Sequence, residues 1–133
     1  MWSALTEEMS QWWPPQFYVH PRSVGMVLDL RLGGHWYELA EGGDGQLWGQ
    51  VIGLEKGQRL LLQGPLSPAL GGPGLSFLHF DLRARGGKST LHFSDTLFGD
   101  LAAGLGQRLD QDWELILKKS FRNYVQNPRT GSA

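Results

Sequence analysis

The 133 residues make one domain, long enough to bury roughly two thirds of the surface its unfolded chain exposes. Twelve basic and thirteen acidic side chains give a net charge of -1, which argues against a nucleic-acid binder, because phosphate recognition needs a basic patch. The absence of cysteine excludes disulfides, thiolate zinc sites and cysteine nucleophiles, and no apolar run is long enough to span a bilayer.

The chain opens with one or two short helices over residues 1 to 13, acidic and Trp-rich, unlike a signal peptide. Thr6 is placed to cap a second turn, with Glu7 and Glu8 favourable against the helix dipole. Pro14-Pro15 ends the segment, because a residue before proline is pushed out of the helical region. Residues 16 to 25 read as an irregular connector.

Strands follow. Met26 to Leu32 alternates, with Leu28, Leu30 and Leu32 on one side and Asp29 and Arg31 on the other. Gly33-Gly34 is a two-residue turn or bulge signal, and His35 to Ala40 is the return strand. Further strands are expected at 46 to 55, 59 to 63, 75 to 85 and 88 to 98. With Gly86-Gly87 as the last turn, Leu82 faces Leu91 and Phe80 faces Phe93 on one side. Asp81 faces His92, Arg83 faces Thr90 and His79 faces Ser94 on the other, as a sheet with one buried face requires. The tight turns (33–34, 56–57, 86–87) fall at one end of the meander and the longer connections (41–45, 64–74, 98–100) at the other. A binding mouth is expected at the long-loop end, between sheet and helix.

That helix spans Leu105 to Tyr124. Leu105, Leu109, Trp113, Ile116, Leu117, Phe121 and Tyr124 recur every three to five residues and trace one stripe. Glu114 and Lys118 are spaced to pair on the other face. Asp110, Asp112 and Glu114 read as a solvated face. Gly104 and Gly106 would each cost about 1 kcal/mol relative to Ala inside a helix, so regular helix is expected to begin near Gln107.

Six tryptophans are unusual for this length. Trp12, Trp13 and Trp113 are expected to pin the short helices to the long one. Trp36 and Trp48 are candidates for core packing or for cavity lining. None of the four histidines is spaced as a ligand pair. No nucleophile elbow, phosphate loop or dinucleotide fingerprint occurs, so neither a cofactor nor a metal site is expected.

Met1-Trp2-Ser3-Ala4-Leu5-Thr6, Gln11-Trp12-Trp13, Asp29-Leu30-Arg31-Leu32-Gly33-Gly34-His35-Trp36, Trp48-Gly49-Gln50-Val51, Arg59-Leu60, Lys88-Ser89-Thr90-Leu91, and Trp113 with Leu117 carry a resemblance in their order and spacing. Together they resemble the SRPBCC superfamily (START-like, birch-pollen-allergen-like), in the branch of activator of heat-shock protein 90 ATPase homologues. Gly57-Gln58 departs from a proline usual there. The resemblance implies an α+β helix-grip fold: about six antiparallel strands wrapped around a long C-terminal helix, over residues 1 to 126, with 127 to 133 a flexible tail. It implies a cytoplasmic, non-enzymatic domain whose cavity holds a small hydrophobic molecule, or a chaperone-ATPase-activator-like partner. A cyclase or dehydratase of the same superfamily is the alternative, and it needs a polar pair in the cavity.

Candidate cavity residues are Trp36, Tyr37, Glu38, Trp48, Phe80, Phe93, Leu109, Trp113 and Leu117. Glu38 has two readings. A simple turn at Gly33-Gly34 pairs Leu30 with Tyr37 and Leu28 with Leu39, leaving Trp36 and Glu38 outside. That is the simpler outcome, although it sets Asp29 against Glu38. The resemblance instead turns both inward, where a carboxylate would be an acid or a ligand anchor. The family's first strand has no counterpart, so the strand from Lys88 to Phe98 is expected to be a bare edge. Either a second copy covers it in a homodimer, a third role being an interaction module using that edge, or the coding sequence starts upstream.

Overall fold

The computed structural model describes residues 1–127; the expected tail, from 128 on, lies outside the described residues. Helices α1 (Trp2–Glu7) and α2 (Met9–Trp12) precede six strands: β1 (Ser23–Leu28), β2 (His35–Ala40), β3 (Gly45–Glu55), β4 (Arg59–Leu66), β5 (Gly74–Arg85) and β6 (Lys88–Gly99). They form one antiparallel sheet in sequence order. The last element among the described residues is a continuous helix made of α3 (Leu105–Trp113), a π-helical stretch (Glu114–Phe121) and α4 (Arg122–Gln126). A curled sheet packed on this helix is the helix-grip arrangement, in the α+β class.

The β5–β6 hairpin has the expected register, with Phe80 opposite Phe93, Asp81 opposite His92 and Leu82 opposite Leu91. The first hairpin does not. Leu28 pairs with Trp36 and Met26 with Glu38, so residues 29 to 34 form a six-residue connection, and Gly33-Gly34 is only its end. Gly33 and Gly34 are held by β3 rather than by β1, the Gly33 N–H donating to Val51 O and the Val51 N–H to Gly34 O, each at 2.8 Å. The expectation that Leu32 faces the core and Glu38 faces solvent is thereby corrected: Leu32 is 68% exposed, while Trp36 and Glu38 are each 1% exposed.

Three register shifts bend the sheet, at Ser23/Gly25, between Trp36 and Tyr37 against β3, and at Val51/Gly53. Bulges of this kind kink a strand and re-aim side chains. The second matters most. Trp36 pairs with Gly49 and Tyr37 with Leu47, so Trp48 is the extra residue and its ring swings inward, 5.2 Å from that of Trp36. Gly49 makes room: a Cβ there would meet Gln63 O at 2.7 Å and the Trp36 ring at 3.3 Å.

The helix starts at Leu105, not near Gln107, because Gly104 turns the chain in at φ 78°. Its core side includes Leu105, Leu109, Trp113, Leu117 and Phe121, each four residues after the last. On a straight α-helix every such step overshoots a turn by about 40°, so four of them would wander roughly 160° round the axis. The wider i→i+5 turn of the π stretch absorbs this drift and keeps Trp113, Ile116, Leu117 and Phe121 against the core. Glu114 and Lys118 do pair on the exposed side, at 3.6 Å.

The short helices dock through Trp12, whose ring lies 4.7 Å from Phe121, and Trp13, 5.9 Å from Trp113. Ser120 Oγ donates to Trp12 O, and Tyr124 Oη to Glu8. Thr6 is no cap: it is buried within α1 and its Oγ1 donates back to Trp2 O at 2.8 Å. Ser10 of α2 reaches β1, accepting from Met26 N at 2.8 Å and donating to Met26 O at 2.9 Å. That sheet edge is therefore occupied at its centre. β6 is the other edge, and no described strand pairs with its outer side.

Candidate functional site

A cavity of about 260 Å³ lies between the sheet and α3. The long-loop end contributes Gln46, Leu47, Gly64, Pro65, Leu66, Ala69 and Leu70; α3 contributes Arg108, Leu109, Asp112 and Trp113; Trp36, Trp48 and Leu78 form the sheet floor. The remaining wall is Gln16 to Val19, part of the stretch read as a featureless connector. It is ordered by a 3-10 turn at Pro15–Phe17 and by Glu38.

Glu38 is the anchor of that wall. Its carboxylate accepts hydrogen bonds from the Val19 N–H at 2.6 Å, the His20 N–H at 2.8 Å, Ser23 Oγ at 2.6 Å and Trp48 Nε1 at 2.6 Å. All four donors converge on a group without access to water, the environment in which a buried carboxylate is tolerated. Because the bulge aims Trp48 at the same carboxylate, the wall and the floor share one attachment point. Burial and the nearby Glu38 carboxylate push the Tyr18 phenol above its ordinary pKa.

Among the candidate residues, Trp36, Trp48, Leu109 and Trp113 line the cavity. Phe80, Phe93 and Leu117 lie in the core beside it, with Phe93 4.7 Å and Phe80 6.2 Å from the Trp113 ring. Glu38 sits behind the lining. Tyr37 is half-buried next to inward Trp36 and Glu38, on the other face of β2, as strand alternation requires.

One pair of cavity residues was not anticipated. Ser76 on β5 and Asp95 on β6 both line the cavity, and Ser76 Oγ donates to Asp95 Oδ1 at 2.5 Å. Asp95 follows Leu91 and Phe93 on the inward side of β6 and stands opposite Leu78. Burial is the main cause that lifts its carboxyl above the usual carboxylate pKa; hydrogen bonds from Ser76 and Trp113 oppose the shift, and the Asp110 carboxylate adds to it. Continuing the β5–β6 register two residues beyond Phe93 would have found this group. Asp112, read as part of a solvated face, is half-buried and lines the mouth.

His79 and His92 lie on the outer side of the sheet, across from Ser94 and Asp81, and no cluster of three or more metal-ligating side chains occurs among the described residues. No described helix is long and apolar enough to cross a membrane.

No protein-family model matches the chain, and no curated protein matches it. Two solved structures are similar to it. The anthrahydroquino-gamma-pyrone synthase Txn09, in complex with SUM, is 21% identical over 81% of this chain and 76% of that one, with a TM-score of 0.48. Protein NE0264 from Nitrosomonas europaea is 18% identical over 85% of this chain and 73% of that one, with a TM-score of 0.49. Neither similarity bears on the site.

Proposed function

We propose that this domain binds a small, mainly apolar molecule in the cavity between the sheet and α3. The observation that carries the reading is the cavity itself, about 260 Å³ and walled by Trp36, Trp48, Trp113, Leu78 and Leu109 with one hydrogen-bonded, partly buried polar pair, Ser76 and Asp95. Apolar walls with few, convergent polar groups are the usual makeup of ligand sites. Such sites commonly span roughly 300–1,000 Å³, so the volume favours a compact molecule of one or two rings over an extended lipid.

A neutral naphthalene-type fluorophore such as prodan should bind saturably at one site, with blue-shifted emission. Leu109→Trp fills the space from the α3 side and should abolish that signal while leaving the far-UV spectrum unchanged. Wild-type protein that is folded and shows no saturable signal would end the reading.

A second reading is favoured by Asp95. An inward carboxyl with a raised pKa beside a serine hydroxyl is suited to move a proton, as cyclase or dehydratase chemistry requires, and it supplies the polar pair that Tyr37 and Glu38 do not. Under this reading, a molecule that copurifies with Asp95→Asn should differ in mass from the one carried by the wild type. Identical passengers by native mass spectrometry would remove it.

A further inference from the structure

The charge balance around the cavity is one-sided. Among the described residues, no lysine, arginine or histidine lies within ion-pair distance of Asp95 or Asp112. The electrostatic neighbour that raises the Asp95 pKa is another carboxylate, Asp110. Arg108 stands at the mouth and is exposed, one cation against three carboxylates. A half-buried anion without a counter-ion is costly.

Five aromatic side chains share the rest of the lining with aliphatic ones such as Leu66, Leu78 and Leu109. Trp36, Trp48 and Trp113 offer rings to the same space as Asp95, with Phe17 and Tyr18 on the connector side. Aromatic faces attract cations through their quadrupole, tryptophan most strongly, and desolvation increases the effect. Clustered aromatic rings beside a carboxylate without an ion-pair partner make a site that is complementary to positive charge on an apolar body.

We propose that the cavity selects an organic cation, a quaternary or protonated amine on a compact apolar frame, with Asp95 as its counter-charge and the tryptophan rings as its cage. This rests on the cavity-binding reading and adds the charge of the ligand to it. Ser76 holds the carboxylate by donating to it, which leaves its remaining lone pairs for the ligand. The ligand charge replaces the missing counter-ion, so binding favours the ionised form of Asp95.

Three probes of one shape test the assignment on the full chain: benzyltrimethylammonium, its neutral isostere neopentylbenzene, and the anion benzylsulfonate. Calorimetry or tryptophan quenching should rank them cation, neutral, anion, with the cation at least about tenfold tighter than the isostere, as a charge-assisted contact implies. Asp95→Asn, isosteric and checked for folding by circular dichroism, should bring the first two affinities together. The quaternary probe carries no proton, so its pH dependence belongs to the protein. Protonating Asp95 removes the counter-charge, so affinity should fall with pH from the side above the ordinary carboxylate pKa, where the raised Asp95 value lies. The other groups facing this space are Asp110, Asp112 and Arg108 from α3 and Tyr18 from the connector; a profile that is unchanged in Asp95→Asn would assign the effect to them and overturn the proposal. An isostere or sulfonate that binds as tightly as the cation also overturns it, while leaving the cavity reading intact. Folded protein that binds none of the three defeats both.

Discussion

Glu38→Ala is expected to destabilise the fold by roughly 3–5 kcal/mol, the cost of removing one partner from a buried, hydrogen-bonded charge site. The loss is large because the remaining partners are not optional. The Val19 and His20 N–H groups and the Trp48 indole N–H are fixed donors that converge on the carboxylate, and only Ser23 can rotate its hydroxyl elsewhere. Glu38→Gln keeps the shape while removing the charge and one of the two acceptor oxygens. It keeps one acceptor oxygen but turns an amide N–H₂ towards donors, so its cost should fall between wild type and Ala. Urea unfolding at constant m-value measures both. Because Glu38 holds the Phe17–Val19 wall, the variants should also weaken probe binding in the same order. A cost for Glu38→Ala below about 1 kcal/mol, the typical net worth of one ordinary hydrogen bond, would show that the four contacts do not hold the wall.

Trp113→Ala should cost about 3–5 kcal/mol, the range for truncating a large buried aromatic. Its ring is packed by Trp13 at 5.9 Å, Trp36 at 6.4 Å, Phe80 at 6.2 Å and Phe93 at 4.7 Å, side chains from the end of the short helices and from three strands at once. None of them can collapse into the gap without releasing another neighbour, which is the condition under which cavity costs reach the top of their range. Trp113→Phe, which keeps an aromatic ring in the same place, should recover most of the stability. Thermal or chemical unfolding of the pair gives the comparison. A Trp113→Ala variant within about 1.5 kcal/mol of wild type would mean that the surroundings repack freely, against the close packing expected of such interiors.

How much of this was readable from the chain depended on whether the signal was local. The Gly86-Gly87 hairpin was readable because both strands alternate without interruption, so one turn assigns every facing pair. Asp95 belonged to the same pattern and was missed only because the alternation was not followed far enough. The helical stripe was readable too, and its repeated spacing of four was a sign of an unusual turn, since an ordinary helix cannot keep that spacing on one side.

Glu38 and Trp48 were different. Their orientation depends on a six-residue connection where two glycines suggested a tight turn, and on one extra residue in β3 that alternation does not reveal. The donors that make an interior carboxylate acceptable come from the backbone of Val19 and His20, and backbone groups leave no mark in composition. The aromatic residues of the site were visible as types; the wall formed by Gln16 to Val19 was not, because it depends on one distant acid.

The two margins of the sheet are unequal. On β1, Ser10 already satisfies Met26, while β6 offers a twelve-residue border with which no strand pairs among the described residues. A sheet with a single available border cannot polymerise by strand addition. If two molecules join along β6, both long borders are used, and Ser10 at the centre of β1 opposes further strand addition at the far margin, so the expected product is a closed pair rather than a growing fibre.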